Sequence, residues 1–109
     1  AMAIMATASG SCGLIGPRSA AGIHAGHVSG LEARWTAEVA HAAAGISRRE
    51  ADALVRQLVE RYKADLAQRP IGQPFPEVYD LITLKPRPAW QAMYEEVKAE
   101  VRQMGLSVG

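Results

Sequence analysis

Apolar residues recur along much of the chain at helical spacing, and most of the predicted elements follow from where that spacing starts and stops. Residues 1–8 are an apolar run closed by Ser9-Gly10, which predicts the last two turns of a helix ended by a left-handed glycine. Leu31, Trp35, Val39, Ala42 and Ala43 share one face of a helix predicted over residues 30–44. Ser29 with Glu32 forms a capping box at its start. A second capping box, Ser47 with Glu50, opens the next helix, whose stripe is Ala51, Leu54, Val55, Leu58, Val59, Tyr62 and Leu66. Its other face carries Arg48, Arg49, Asp52, Arg56, Glu60, Lys63 and Asp65, and Pro70 with Gly72 ends it. Pro88 suits the first turn of a last helix, striped by Trp90, Met93, Tyr94, Val97, Val101 and Met104 and stopped at Gly105.

Between these helices the pattern changes. Residues 13–16, Gly-Leu-Ile-Gly, are a short apolar run between turn signals and predict a buried strand that Pro17 terminates. A lone strand leaves its backbone hydrogen bonds unmade, so it needs neighbours. Residues 18–30 form a glycine-punctuated loop, and residues 71–85, flanked and broken by prolines, predict an extended strap anchored by Phe75, Val78, Tyr79, Leu81 and Ile82.

Charge sharpens this picture. The first thirty residues hold one charged side chain, Arg18, and six of the ten glycines, while residues 31–109 hold the other eleven basic and all eleven acidic side chains. An uncharged, small-residue start suits a segment buried on several sides. The 109 residues suffice for one core, and the net charge of +1 gives no electrostatic footprint for nucleic acid or a membrane surface. No run approaches the ~20 apolar residues that cross a bilayer. The single Cys12 excludes an internal disulfide and fits a reducing compartment, so the expected location is cytoplasmic.

Candidate chemistry is sparse. Cys12, His24, His27 and Glu32 are metal-ligand types, but no second cysteine stands at motif spacing and the histidines lie in a loop, so no metal site is expected; a buried thiol and loop histidines are the plain reading. The glycines match neither dinucleotide nor P-loop fingerprints, and no G-x-S-x-G elbow positions a serine. The residues by themselves define no self-contained active site.

The run Thr7-Ala8-Ser9-Gly10, then Ser29-Gly30-Leu31-Glu32-Ala33-Arg34 with Glu38-Val39-Ala40 and Ala44-Gly45, resembles the end of the monomethylamine:corrinoid methyltransferases. Gly72-Gln73-Pro74-Phe75, Glu77, Tyr79-Asp80, Thr83, Pro86, Tyr94 and Gly105-Leu106 agree in the same order, so the resemblance covers almost the whole chain. It departs at Ser11-Cys12-Gly13 and Ile23-His24.

The resemblance implies an α/β fold: the C-terminal fragment of a (β/α)8 barrel, itself mostly α-helical. Residues 1–45 would hold a helix end, the last strand, the glycine-rich loop and the last barrel helix, and residues 46–109 a C-terminal helical extension. It implies transfer of the methyl group of monomethylamine to the cobalt of a separate corrinoid protein, with no catalytic residue and no cofactor held in this segment. The family's pyrrolysine would lie upstream, and the full-length protein would be a homo-oligomer. Barrel enzymes build their sites in the loops after the strands, so Arg18, Ser19, His24 and His27 are the candidates to face substrate and corrinoid. The competing expectations are a small helical binding or assembly module and a methyltransferase for another methylated amine. Trp35, Trp90 and Tyr94 are expected interface anchors wherever they are exposed.

Overall fold

The computed structural model describes residues 1–18, 24–68 and 71–109. Among the described residues there are five α-helices: α1, Met2–Ala8; α2, Gly30–Ala42; α3, Arg48–Tyr62, which tightens into a 3-10 segment at Lys63–Gln68; α4, Phe75–Val78; and α5, Pro88–Gln103.

Each long helix starts where its sequence provides for the unpaired amides of a first turn. The Ser29 side chain accepts from the Leu31 N–H at 3.3 Å, and the Glu32 carboxylate accepts from the Ser29 N–H at 2.9 Å. Ser47 and Glu50 form the reciprocal pair at α3, at 3.1 and 2.7 Å. Helix α5 instead uses Pro88, which has no N–H to satisfy. Helix α1 has no side-chain cap at its start. It ends as expected: Gly10 adopts φ +83°, and the amides of Gly10 and Ser11 close onto the carbonyls of Thr7 and Ala6. The same pair of bonds ends α5, where Gly105 and Leu106 donate to Arg102 and Val101, turning Leu106 back onto the core.

The main core joins the two ends of the chain. Ile4 of α1, Val39 of α2, Ala43 just after it, Ala51 and Leu54 of α3, Val101 of α5, and Leu106 and Val108 of the tail are buried together, with α1 lying against both α2 and α3. Arg102 fixes the tail by donating to the Val108 carbonyl at 2.7 Å. A second cluster of Leu31, Val78 and Tyr94 is flanked by Tyr79, Trp90 and Trp35, and Trp35 touches both clusters.

Four expectations need correction. Among the described residues there is no strand: residues 13–16 are unpaired and exposed, with Ile15 at 83%. The reason is the one anticipated for any lone strand, since nothing among the described residues offers it a ladder; the one bridge found is Tyr79 with Pro86. For the same reason the uncharged start is not buried throughout; Ile4 is, but Leu14 is exposed and so is the Cys12 thiol. Of the α3 stripe, Ala51 and Leu54 are buried and Val55 and Leu58 pack half-buried against the core, but Tyr62 and Leu66 are exposed. The proline strap is not extended throughout: Pro74 caps the short α4 and residues 80–85 form a tight turn. Pro70 lies outside the described residues.

Candidate functional site

The glycine-rich loop brings two of the four candidate residues together. The rings of His24 and His27 meet edge to face, with centroids 5.3 Å apart, and His27 Nδ1 lies 3.1 Å from the Ala25 carbonyl. Arg18 is exposed and lines an open groove of about 680 Å³ with Ala1, Met2, Ala3, residues 14–17, Trp35, Thr36 and Val39, a wall that includes neither histidine. Ser19 lies outside the described residues. Among those described, no group of three or more His, Cys, Asp or Glu gathers to hold a metal, and no helix is long and apolar enough to cross a membrane.

The loop is held from the far side of the chain. Gly72, at φ +51°, brings the strap so close that a Cβ there would stand 2.6 Å from the His27 carbonyl oxygen. Thus a glycine about forty-five positions away sets where the histidine loop sits, which sequence spacing does not reveal.

The strongest polar constellation is elsewhere, between α2 and α5. The Glu38 carboxylate accepts from Tyr94 Oη at 2.5 Å, Lys98 Nζ at 3.0 Å and Arg34 Nε at 2.9 Å. Arg34 and Lys98 both lie over the Tyr94 ring, at 5.2 and 5.5 Å, and Trp35 meets it edge on. Lys98 is 6% exposed, so its ammonium is buried beside this carboxylate. The Tyr94 hydroxyl, then the two cations, hold the Glu38 carboxyl down at about 2. Burial, then the neighbouring carboxylate, pushes the Tyr94 phenol up to about 12. Such a carboxylate is ionised and fully hydrogen-bonded at neutral pH, which suits a clamp between helices rather than a proton acceptor. Sequence reading took Tyr94 as a member of an apolar stripe, an expected interface anchor and a position of the family resemblance, and assigned Lys98 nothing. The legible signal was the pair of i, i+4 spacings, Arg34 with Glu38 and Tyr94 with Lys98.

Beside this clamp lies an open, mainly apolar hollow of about 120 Å³ walled by Leu31, Trp35, Trp90, Met93, Tyr94 and Val97, with Glu32, whose carboxylate caps Ser29, also on its wall. Tyr94 is buried and Trp35 and Trp90 are half-buried, so the expected aromatic anchors frame a hollow more than they project.

This helical arrangement recurs in an amine methyltransferase. The structure superposes on the crystal structure of the Methanosarcina barkeri monomethylamine methyltransferase (MtmB) with a TM-score of 0.87 at 35% identity, covering 95% of this chain and 23% of that one. Monomethylamine methyltransferases MtmB1 of Methanosarcina barkeri and MtmB1 of Methanosarcina acetivorans are each 35% identical over 106 residues, 97% of this chain. The family model described as monomethylamine methyltransferase MtmB matches residues 1–106, and the chain belongs to that family. It spans 23% of the length of the curated relatives it matches.

Proposed function

We propose that this chain is the C-terminal portion of a methyltransferase that moves the methyl group of monomethylamine to the cobalt of a corrinoid protein. The observation that carries the reading is the match to the MtmB family along nearly the whole chain, with the helices in the same arrangement. Residues 1–45 complete a (β/α)8 barrel, and residues 46–109 are a helical extension packed on it. In that setting residues 13–16 gain the flanking strands they lack and form the eighth strand. Helix α2 then follows as the eighth barrel helix, and the loop with Arg18, Ser19, His24 and His27 lies at the mouth where substrate enters. The corrinoid is the methyl acceptor, brought by a partner protein, and this segment holds no cofactor of its own. The role of the chain's residues is to shape and position the mouth: Gly72 seats the histidine loop, and the Glu38 clamp holds α5 against α2 behind it. The full-length protein is a cytoplasmic homo-oligomer on this reading.

The test is to read the genomic DNA upstream of Ala1 through any in-frame amber codon and express the whole frame with the machinery that decodes it. Methylation of a reduced corrinoid protein would be followed by its absorption spectrum with monomethylamine, dimethylamine, trimethylamine or a quaternary amine as donor. Monomethylamine-dependent methylation is expected. A barrel-length protein that uses only another amine would overturn the substrate, and a frame without barrel-length sequence would leave a small helical binding module.

A further inference from the structure

The strap braces the exit of the histidine loop at two points. At one end Gly72 presses on the His27 carbonyl, and at the other the Tyr79 hydroxyl lies 3.4 Å from where a Cβ on Gly30, the first residue of α2, would stand. The two contacts fall on either side of Ser29, the buried cap through which the loop enters α2. Such a brace works only if it is stiff, and the sequence stiffens it. Pro74 caps α4 and Pro76 lies in its first turn, so two backbone angles are fixed by their rings. Phe75 and Tyr79 stack with centroids 4.7 Å apart, and Val78 between them is buried with Leu31 and Tyr94.

So short a helix cannot pair its own last carbonyls, and Arg87 supplies the donors. Its N–H donates to the Val78 carbonyl at 2.7 Å, and its Nε and Nη2 both donate to the Pro76 carbonyl, at 3.2 and 3.1 Å. Arg87 is the N-cap residue of α5, but its side chain makes no cap there and is committed to the strap instead. It stands between Pro86 and Pro88, and Pro86 bridges to Tyr79, so little backbone freedom is left to lose when these bonds form. The Asp80 carboxylate tightens the turn that returns the chain from the strap to Arg87, accepting from the amides of Ile82 and Thr83 at 2.9 and 2.8 Å. Burial of Val78 keeps the strap on the core, while the Arg87 staple and the Gly72 approach fix how far it advances on the loop. A line of contacts therefore runs from the start of α5 through Arg87 to α4, and from Gly72 to the backbone of His27.

We propose that Arg87 is a positioning residue for the mouth of the enzyme: by stapling α4 to the start of α5 it holds Gly72 against His27, and so sets where the His24–His27 loop stands as the reactants enter. The role at the mouth rests on the methyl-transfer reading, whereas the brace rests on the contacts alone. Arg87 is exposed, so replacing it leaves the core intact. Arg87→Met keeps the aliphatic stem and the amide bond to Val78 and removes only the guanidinium, and Arg87→Lys returns one donor. Both variants are made in the product of the whole reading frame. Deuterium exchange over residues 24–30, read by mass spectrometry, needs no activity: Arg87→Met is expected to speed it by about tenfold and Arg87→Lys by less, with residues 98–101 of α5 unchanged. In methyl transfer, Arg87→Met is expected to raise the KM for the corrinoid protein severalfold with kcat held, because the loop meets incoming reactants and not the reacting bond. Arg87→Lys should bring KM back toward the parent value. A merely destabilised enzyme would instead lose active fraction, lowering the apparent kcat at unchanged KM, and that result overturns the proposal. Unchanged exchange over residues 24–30 overturns the brace whatever the kinetics, and faster exchange with unchanged KM overturns the role at the mouth. A parent protein that methylates no corrinoid from monomethylamine removes that role together with the methyl-transfer reading, while the exchange result still decides the brace.

Discussion

Tyr94 Oη stands 2.5 Å from the Glu38 carboxylate, joining α5 to α2 across 56 positions of sequence. The carboxylate also holds Lys98, which the fold has taken out of water, so this pair connects burial of the last helix to a charge balance. Hydrogen bonds to an ionised partner contribute more than neutral ones. Tyr94→Phe keeps the ring against Trp35 and removes only the donor, and it should lower the unfolding free energy by about 1.5–3 kcal/mol. Urea denaturation checks this, and a double-mutant cycle with Glu38→Gln should show coupling between the two positions; additive losses would mean the bond contributes nothing of its own.

The same pair sets the pH limits of stability. Glu38, held at about 2 against an ordinary value of 4.5, contributes stability that is present above about pH 4.5 and is lost as pH falls toward 2. Tyr94, raised from 10.0 to about 12, contributes stability present below pH 10 that is lost as pH climbs toward 12, because the unfolded phenol ionises first. Unfolding free energy measured against pH should fall over both windows. Glu38→Gln should flatten the acid limb and Tyr94→Phe the alkaline limb, and an acid limb unchanged in Glu38→Gln would assign acid loss to other carboxylates.

Helix entry gives an independent test. Ser29 is 5% exposed, and its side chain and amide both engage the first turn of α2. Ser29→Ala removes the side-chain cap and leaves Glu32 a smaller partner set, which should cost about 1 kcal/mol. A thermal or urea midpoint indistinguishable from the parent would show that the cap is replaced by water.

Those helix starts were legible because a capping box and an apolar stripe are local, each resolved within a turn or two of helix. Ser29 with Glu32 and Ser47 with Glu50 therefore mark the entries of α2 and α3 before any packing is known. Of the Glu38 clamp only the two i, i+4 spacings were legible, since Tyr94 and Lys98 meet Glu38 only after α5 docks on α2. Residues 13–16 failed for the opposite reason: their pattern states a preference for a buried sheet, but partners decide whether a strand exists, and none is found among the described residues. The candidate site was half legible. Spacing put His24 and His27 in one loop, while their support by Gly72 is a contact of the folded chain.

Gly72 therefore offers the sharpest single substitution. At φ +51° any side chain meets the left-handed penalty of about 1–2 kcal/mol, and here the added Cβ also meets the His27 carbonyl at 2.6 Å, a backbone atom that moves only if its loop moves. Gly26 is the control within the same loop: it has φ +74° but open space around it, so Gly26→Ala carries the conformational penalty alone. Gly72→Ala should consequently be the more destabilising of the two, and it alone should accelerate amide exchange at residues 27–29 while leaving the interior of α5 unchanged. Equal losses in the two variants, with exchange at His27 unaffected, would mean that the strap yields instead and that Gly72 does not position the histidine loop.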